Sequence, residues 1–134
     1  MVRETCSRRS LLAATAVGAA TLAGCVDEGS CRTVFEGTAE VRREGMEIYD
    51  ADAEAGQRLY VRLRRVDGPR ATVSVFDPAE EVLLSRRNVD RLERVFEITE
   101  PGTYAVVTRN DSSAGRGQWE TTVAVYRGWC ADVY

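Results

Sequence analysis

The sequence predicts an all-β protein, an antiparallel β-sandwich (jelly-roll-like) of about eight strands that follows a cleaved N-terminal signal. Three observations predict this class. From Thr33 onward apolar residues recur at every second position, which is the period of a half-buried strand. β-branched and aromatic residues dominate these runs. Turn residues separate the runs at close spacing, at Asp67-Gly68-Pro69, Asp77-Pro78 and Pro101-Gly102. A closed barrel fits the same pattern and stays open as an alternative.

Eight segments carry this alternation. In RLYVRLRRV, the side chains of Leu59, Val61 and Leu63 fall on one face, and Tyr60 falls on the other with the arginines. In the same way Val73 and Val75 are predicted to point inward, as are Leu92, Phe96 and Ile98. The predicted strands are Thr33–Val41, Met46–Tyr49, Arg58–Val66, Ala71–Phe76, Val82–Leu84, Arg91–Ile98, Thr103–Asn110 and Trp119–Arg127.

Composition limits the functions open to this chain. Its 134 residues suffice for one domain, and all 18 basic residues are arginine, with no histidine. The commonest general base and a common metal ligand are therefore missing. Removing the first 24 residues leaves 15 arginines against 20 acidic residues. This acidic balance argues against nucleic-acid binding. We expect no cofactor and no enzymatic activity, since Ser112 and Ser113 have no identifiable base.

The first residues have the layout of a secretory signal. Arg8 and Arg9 precede a weakly apolar run, Leu11 to Ala23. This run is shorter than the roughly 20 apolar residues that a membrane-spanning helix needs, so it is typical of a signal peptide. The paired arginines resemble a twin-arginine export signal, whose machinery carries folded proteins. Together with arginine in place of lysine and with the acidity, this signal favours an archaeal source adapted to salt.

The apolar run ends in a sequence that looks like a lipobox, Leu22-Ala23-Gly24-Cys25. In lipoproteins with this motif the cysteine becomes the lipidated N-terminus after cleavage. The resulting organisation is a signal peptide (1–24), a tether (25–30) and a β-sandwich (31–134). The membrane is then a partner through the lipid anchor, and the protein lies on the outer face of the cell membrane. The alternative is a signal cut elsewhere, which leaves Cys25 as an ordinary thiol.

The four cysteines divide by position. Cys6 lies in the signal and Cys25 takes the lipid, which leaves Cys31 and Cys130 in a compartment that permits disulfides. A bridge between them would close a loop of about 100 residues, worth on the order of 4.7 kcal/mol in the chain-entropy model. Two unpaired thiols are the alternative.

One stretch resembles a known family. Gly56-Gln57 opens a strand, Asp77-Pro78 follows a valine-rich strand, and Pro101-Gly102-Thr103-Tyr104 leads into a late strand. This resembles the pre-peptidase C-terminal type of β-sandwich and, more loosely, the GOLD-like sandwiches. The resemblance covers roughly Glu47 to Tyr126. It implies a sandwich and a noncatalytic appendage of secreted proteins. Where the family has glycine two residues after the Asp-Pro pair, this chain has Glu80.

Several residues are candidates for binding. Asp50, Asp52 and Glu54 alternate and are weak candidates for calcium, with a solvated acidic edge as the alternative. Asn110 begins the sequon Asn-Asp-Ser on a predicted loop and is a possible glycosylation site. Three aromatic side chains could stack on sugar rings if they are exposed: Trp119, Tyr126 and Trp129. Aromatic residues in strands more often belong to the core. Arginines 42, 43, 62, 64 and 65 either bind an anionic surface or pair with glutamates across strands.

These observations favour a lipid-anchored, noncatalytic β-sandwich at the cell surface that serves as an interaction or envelope module. Its partner, a protein or a glycan, is unknown. The alternative is a ligand-binding module for glycan or calcium.

Overall fold

The structure, a computed structural model, describes residues 30–128 and contains eight strands there. Within this range no helix is long and apolar enough to cross a membrane. The strands are β1 (Ser30–Val41), β2 (Met46–Ala53), β3 (Arg58–Asp67), β4 (Ala71–Phe76), β5 (Val82–Val89), β6 (Arg91–Glu97), β7 (Gly102–Arg109) and β8 (Gly117–Arg127). The predicted all-β class is confirmed.

The strands form two antiparallel sheets, ordered β1-β8-β3-β6 and β2-β7-β4-β5. Two separate sheets make a sandwich, and the alternative of one closed barrel is wrong. The turn between β1 and β2 crosses from one sheet to the other. The ring of Phe35 lies 4.8 Å from that of Tyr49, centroid to centroid, and the Arg32 guanidinium donates to the Asp52 carbonyl oxygen. The strand β1 therefore lies over β2 at one edge of the sandwich.

The predicted alternation builds the core of the unit that spans residues 32–125. Leu59, Val61 and Leu63 are buried, as are all the other residues predicted to point inward except Phe96, which is partly buried against the core. Trp119 is also buried, and its indole N–H donates to the Pro69 carbonyl at 2.9 Å. This bond satisfies the one polar group of the indole, so the large ring can lie in the core.

Tyr60 differs from the prediction in its burial. The alternation of β3 places it on the outer face, as expected, yet its side chain is only 2% exposed. Its hydroxyl donates to Glu93 Oε2 across the neighbouring strand β6 at 2.5 Å. Tyrosine tolerates such a position because the ring gains from burial while the hydroxyl keeps a partner.

Four strands extend at least two residues beyond their predicted bounds. β1 begins at Ser30 rather than Thr33, and β8 begins at Gly117 rather than Trp119. β2 continues to Ala53, because Ala51 and Ala53 alternate inward with the exposed Asp50 and Asp52. β5 continues to Val89 through a bulge, in which Asn88 has a positive φ of 55°.

Two of the three predicted turns contain a residue with a left-handed backbone, and the third differs from the turn that its sequence favours. Gly68 has a φ of 78°, and a Cβ there would lie 2.0 Å from the Arg116 carbonyl oxygen. Glu80, which stands where the resembling family has glycine, takes a φ of 65°, and its N–H donates to the Asp77 carbonyl. Pro101-Gly102 is not the type II turn that its sequence favours. Gly102 already belongs to β7 and has a φ of 145°, well beyond the roughly 80° of that turn.

Candidate functional site

An uncharged band crosses the outer face of the sheet β2-β7-β4-β5. Residues that lie side by side across the strands form a row on this face. In one row the register places Ile48 of β2 beside Val107 of β7. In the next row, one outward position further along the strands, Ala105 of β7, Phe76 of β4 and Val82 of β5 lie side by side. Because the apolar residues begin in one row at β2 and end in the next row at β5, they run diagonally across all four strands. We call these five residues the apolar band.

The apolar band is accessible to a partner. Ile48 is 56% exposed and Val82 is 59% exposed. The three residues between them are half-buried, as expected in central strands with an open outer face. Leu83, next to Val82, is 43% exposed and extends the apolar surface at the β5 edge. Contiguous apolar surface of this kind, bordered by polar residues, is typical of a binding site.

An arginine flank borders one side of the apolar band. It consists of Arg109, which follows Val107 on the outer face of β7, and Arg87 at the bulge of β5. Thr72 lies between them in the sheet and donates to Asp111 Oδ2 at 2.6 Å. Asp111 also forms an ion pair with Arg109, in which Asp111 Oδ1 lies 3.5 Å from Arg109 Nε. The two arginines carry two positive charges against the one negative charge of Asp111, so this flank has a net positive charge.

An acidic flank borders the opposite side of the band. It consists of Asp50 and Asp52, both exposed on the outer face of β2. The hydroxyl of Thr103 donates to Asp52 Oδ1 at 2.6 Å, which fixes this carboxylate beside β7. The turn that carries Glu80 and Glu81 follows Phe76 and lies at the same end of the sheet. The outer face therefore has opposite charges on the two sides of an apolar centre.

Two open clefts lie near this face. One, of about 440 Å³, adjoins the arginine flank and is lined by Pro69, Arg70, Thr72, Arg87, Asn88, Asp111 and Ser112. The other, of about 620 Å³, lies at the turn between β1 and β2 and is lined by Glu40, Val41, Arg42, Glu44, Gly45, Met46, Glu47 and Arg116. Both carry acidic and basic side chains together, so neither presents a charge of one sign to a ligand.

The described groups with displaced pKa values lie outside both clefts. Burial raises the pKa of Tyr49 and of Tyr104, and burial together with the Glu93 bond raises the pKa of Tyr60 to about 12. Hydrogen bonds from Arg65 and Arg70 lower the pKa of the exposed Asp90. Core packing and a surface ion pair account for these shifts, and none of them marks a catalytic group.

The predicted glycosylation site is buried. Asn110 is fully enclosed, and its side-chain N–H groups donate to the carbonyls of Val41 at 3.0 Å and Gly115 at 2.8 Å. Its side-chain oxygen accepts the Ser112 N–H at 3.1 Å. A glycan on this nitrogen would replace one of these two N–H donors, and the enclosed side chain leaves no space for a sugar. The structure therefore contradicts Asn110 as an accessible acceptor in the folded chain.

The other ligand candidates do not form a site among residues 30–128. Trp119 and Tyr126 are buried and offer no ring face to a sugar. Asp50 and Asp52 share the outer face of β2, as predicted, whereas Glu54 lies in the following turn. No three acidic, cysteine or histidine side chains in the described range are arranged to hold a metal ion.

Two of the five candidate arginines form ion pairs with acidic residues. Arg64 of β3 binds Glu120 of β8 at 2.9 Å, which confirms the predicted pairing with a glutamate across strands for this arginine. Arg65 instead binds an aspartate, Asp90 in the turn between β5 and β6, at 2.5 Å. Arg62 lies opposite Glu93 in the register of β3 with β6.

The remaining predicted sites lie outside the described residues: Arg8, Arg9, Leu22, Ala23, Gly24, Cys25, Trp129 and Cys130. Cys31 lies near the start of β1. Because Cys130 lies outside the described residues, the disulfide between the two stays a prediction.

The sequence alone did not indicate the apolar band. Its members come from four separate strands, and each is an ordinary residue at an outward position. The band becomes visible only when it is known that β2 pairs with β7 and that β7 pairs with β4.

Comparisons with known proteins extend the fold assignment. No protein family and no curated protein sequence matches this chain. A periplasmic inhibitor of g-type lysozyme from Aeromonas hydrophila has a similar structure, with a TM-score of 0.52, 16% identity, and coverage of 72% of this chain and 88% of the inhibitor. The pre-peptidase C-terminal domain of a Bacillus anthracis collagenase has a TM-score of 0.50, 17% identity, and coverage of 66% of this chain and 89% of that domain. At such low identity these similarities show a shared β-sandwich fold, the one that the resemblance implied.

Proposed function

We propose that this protein is an exported, lipid-anchored, noncatalytic β-sandwich at the cell surface that serves as an interaction module, and that the apolar band is its binding surface. One observation carries the proposal: an accessible uncharged band crosses a whole sheet of a chain in which 29% of residues are charged. Exposed apolar area has a cost in water, and a contiguous patch of it bordered by polar residues is typical of an interaction site.

The sequence supports the anchor. Arg8-Arg9 begins the signal, Leu22 to Cys25 ends it, and five residues separate Cys25 from Cys31. Fully extended, these six steps reach about 20 Å at about 3.5 Å per residue. The tether is therefore short, and the sandwich stays close to the membrane.

The topology supports the proposed disulfide. β1 and β8 are antiparallel neighbours, so the beginning of β1, with Cys31, lies at the same end of the sheet as the end of β8. Cys130 follows the last residue of β8 by three positions. A bridge here would tie the first strand to the chain's end.

Anchoring is tested by membrane fractionation. We expect the wild-type chain in the membrane fraction, Cys25→Ser in the soluble exported fraction, and Arg8→Lys with Arg9→Lys retained inside the cell. Full-length Cys25→Ser protein in the membrane fraction would contradict the lipobox.

Binding is tested by crosslinking on intact cells followed by affinity purification. Ile48→Glu places a charge in the apolar band at a position that already contacts water, so the fold should be unchanged. Val95→Glu is the matched control, because Val95 is 46% exposed on the other sheet. We expect crosslinked partners to disappear in Ile48→Glu and to persist in Val95→Glu. Equal recovery from both variants would remove the apolar band as the binding surface.

A further inference from the structure

We propose that the apolar band binds a second copy of this chain, face to face, about a two-fold axis that runs along the band. This inference rests on the proposed function, in which the band is a binding surface. The order of apolar and charged residues across this face carries it.

The direction of the band defines the axis. Neighbouring strands lie about 4.8 Å apart, and outward residues recur about every 6.8 Å along a strand. From Ile48 on β2 to Val82 on β5 the band crosses three strand spacings and advances one outward row. A two-fold axis along this line places the apolar band of one copy on the band of the other. Ile48 then meets apolar atoms, and its exposed surface is removed from water.

The charges select this axis. The arginine flank and the acidic flank lie on opposite sides of the band, and rotation about an axis along the band exchanges the two sides. Arg109 of each copy then faces Asp50 and Asp52 of the other copy, so both flanks are complementary. A two-fold axis across the band would keep each flank on its own side. It would place arginine on arginine and aspartate on aspartate, which is unfavourable.

A pairing through sheet edges is less favourable than this packing. The β5 edge is interrupted by a bulge and carries Arg86 and Arg87, features that protect an edge strand from adding another strand. The outer face has no such protection across the apolar band.

The size of the face predicts a weak dimer. Four strands about 4.8 Å apart, and six residues of each at about 3.4 Å, give a face of about 19 by 20 Å. With the roughness of side chains, two such faces bury a total of about 1,000 Å², which is near the lower limit for a specific interface. We therefore expect dissociation in the micromolar range.

The test is sedimentation velocity of the mature chain with Cys25→Ser, from about 1 to 300 μM, a range that brackets weak affinities of this kind. We expect a shift from monomer to dimer with rising concentration. Ile48→Glu should weaken the dimer at least tenfold, and Val95→Glu should leave it unchanged. A monomer throughout this range, with melting like that of a folded domain, would overturn the inference.

Charge reversal tests the axis itself. Arg109→Asp alone and Asp50→Arg alone each create two like-charge contacts in a symmetric dimer, so each variant should dimerise at least tenfold more weakly. An equimolar mixture should form a heterodimer, because the reversed residue of each variant then faces its opposite charge. Failure of the mixture to recover dimer, with each variant folded, would exclude the proposed axis.

These outcomes separate the two proposals. A chain that stays monomeric, but loses its crosslinked partners on Ile48→Glu, would overturn the dimer and keep the interaction module. If Ile48→Glu changes neither self-association nor crosslinking, both proposals fail.

Discussion

Replacing Asn110 by alanine should destabilise the fold much more than any other change in its loop. The side chain joins three parts of the structure: the end of β1 at Val41, the loop residue Gly115, and the Ser112 N–H. In Asn110→Ala all three partners lose a hydrogen bond while the surrounding backbone stays in place. The Val41 carbonyl is the most serious loss, because that bond is fully buried.

The magnitude follows from the burial of each partner. A buried polar group left without a partner costs about 1–3 kcal/mol, and an average hydrogen bond contributes about 1 kcal/mol. One buried carbonyl and two partly buried partners therefore add up to about 3–5 kcal/mol of unfolding free energy. Such a loss is a large part of the total stability of a small domain, which is about 5–15 kcal/mol.

The assay is urea unfolding followed by the fluorescence of the buried Trp119. Ser112→Ala is the matched control, because it also destroys the sequon but removes only the hydroxyl that accepts the Ala114 N–H at an exposed position. We expect a loss below about 1 kcal/mol for this control. Equal destabilisation by the two substitutions would refute the role of the Asn110 network. Peptide mass spectrometry should show Asn110 unmodified, and a glycan there would refute the buried geometry.

Three further predictions concern stability. Glu80→Gly should raise the unfolding free energy by about 0.5–1 kcal/mol, because the strain of a left-handed residue exceeds the entropy that glycine adds to the unfolded chain, and urea unfolding should show no such gain for Glu81→Gly. Tyr60, whose pKa is about 12 when folded against about 10 when unfolded, stabilises the fold below pH 10 and loses this effect as the pH rises to 12; Tyr60→Phe should therefore show a smaller fall in urea midpoint over this window. Reduction of the proposed disulfide should lower the melting temperature of the wild-type chain but not of a Cys31→Ser variant, and free thiols at both positions in the exported protein would contradict the bridge.

The core was predictable because its signal is local. Leu59, Val61 and Leu63 alternate within five residues, and any antiparallel sheet that buries one face of this strand must bury these three together. The buried hydrogen bonds of Tyr60 and Asn110 were not predictable, because the partners of these side chains are distant in the chain. Tyr60 bonds a residue 33 positions away, and Asn110 bonds one 69 positions away. The local sequence around Tyr60 and Asn110 does not indicate such a partner.

The apolar band was unpredictable for a related reason. Single apolar residues at outward positions are normal on protein surfaces, and no strand contributes more than two residues to the apolar band. They become one surface only through the strand order β2-β7-β4-β5, in which β7 separates two strands that precede it in the chain. The alternation predicted eight strands without predicting which of them are neighbours.

The proposed dimer also fits the proposed anchor, because both copies would attach to the same membrane. Ile48, the first residue of the band, lies on β2 at the edge of the sandwich, and β1 lies over β2 at this same edge. A two-fold rotation leaves positions along its axis unchanged. The strands β1 of both copies, each preceded in the chain by its proposed tether, therefore lie toward the same end of an axis that follows the band. The axis would then stand perpendicular to the bilayer.

Confinement to a membrane should strengthen this weak dimer. Two anchored copies share a thin layer, so their effective concentration exceeds that in bulk solution. With fluorescent labels on the exposed β6 of each copy, we expect energy transfer on vesicles at protein concentrations where the Cys25→Ser chain is monomeric in solution. Transfer should fall to the level of random surface collisions in Ile48→Glu, which keeps the lipid and removes only the contact. Equal transfer for Ile48→Glu and the wild-type chain would show that crowding alone brings the copies together, and the two-fold contact would have to be abandoned.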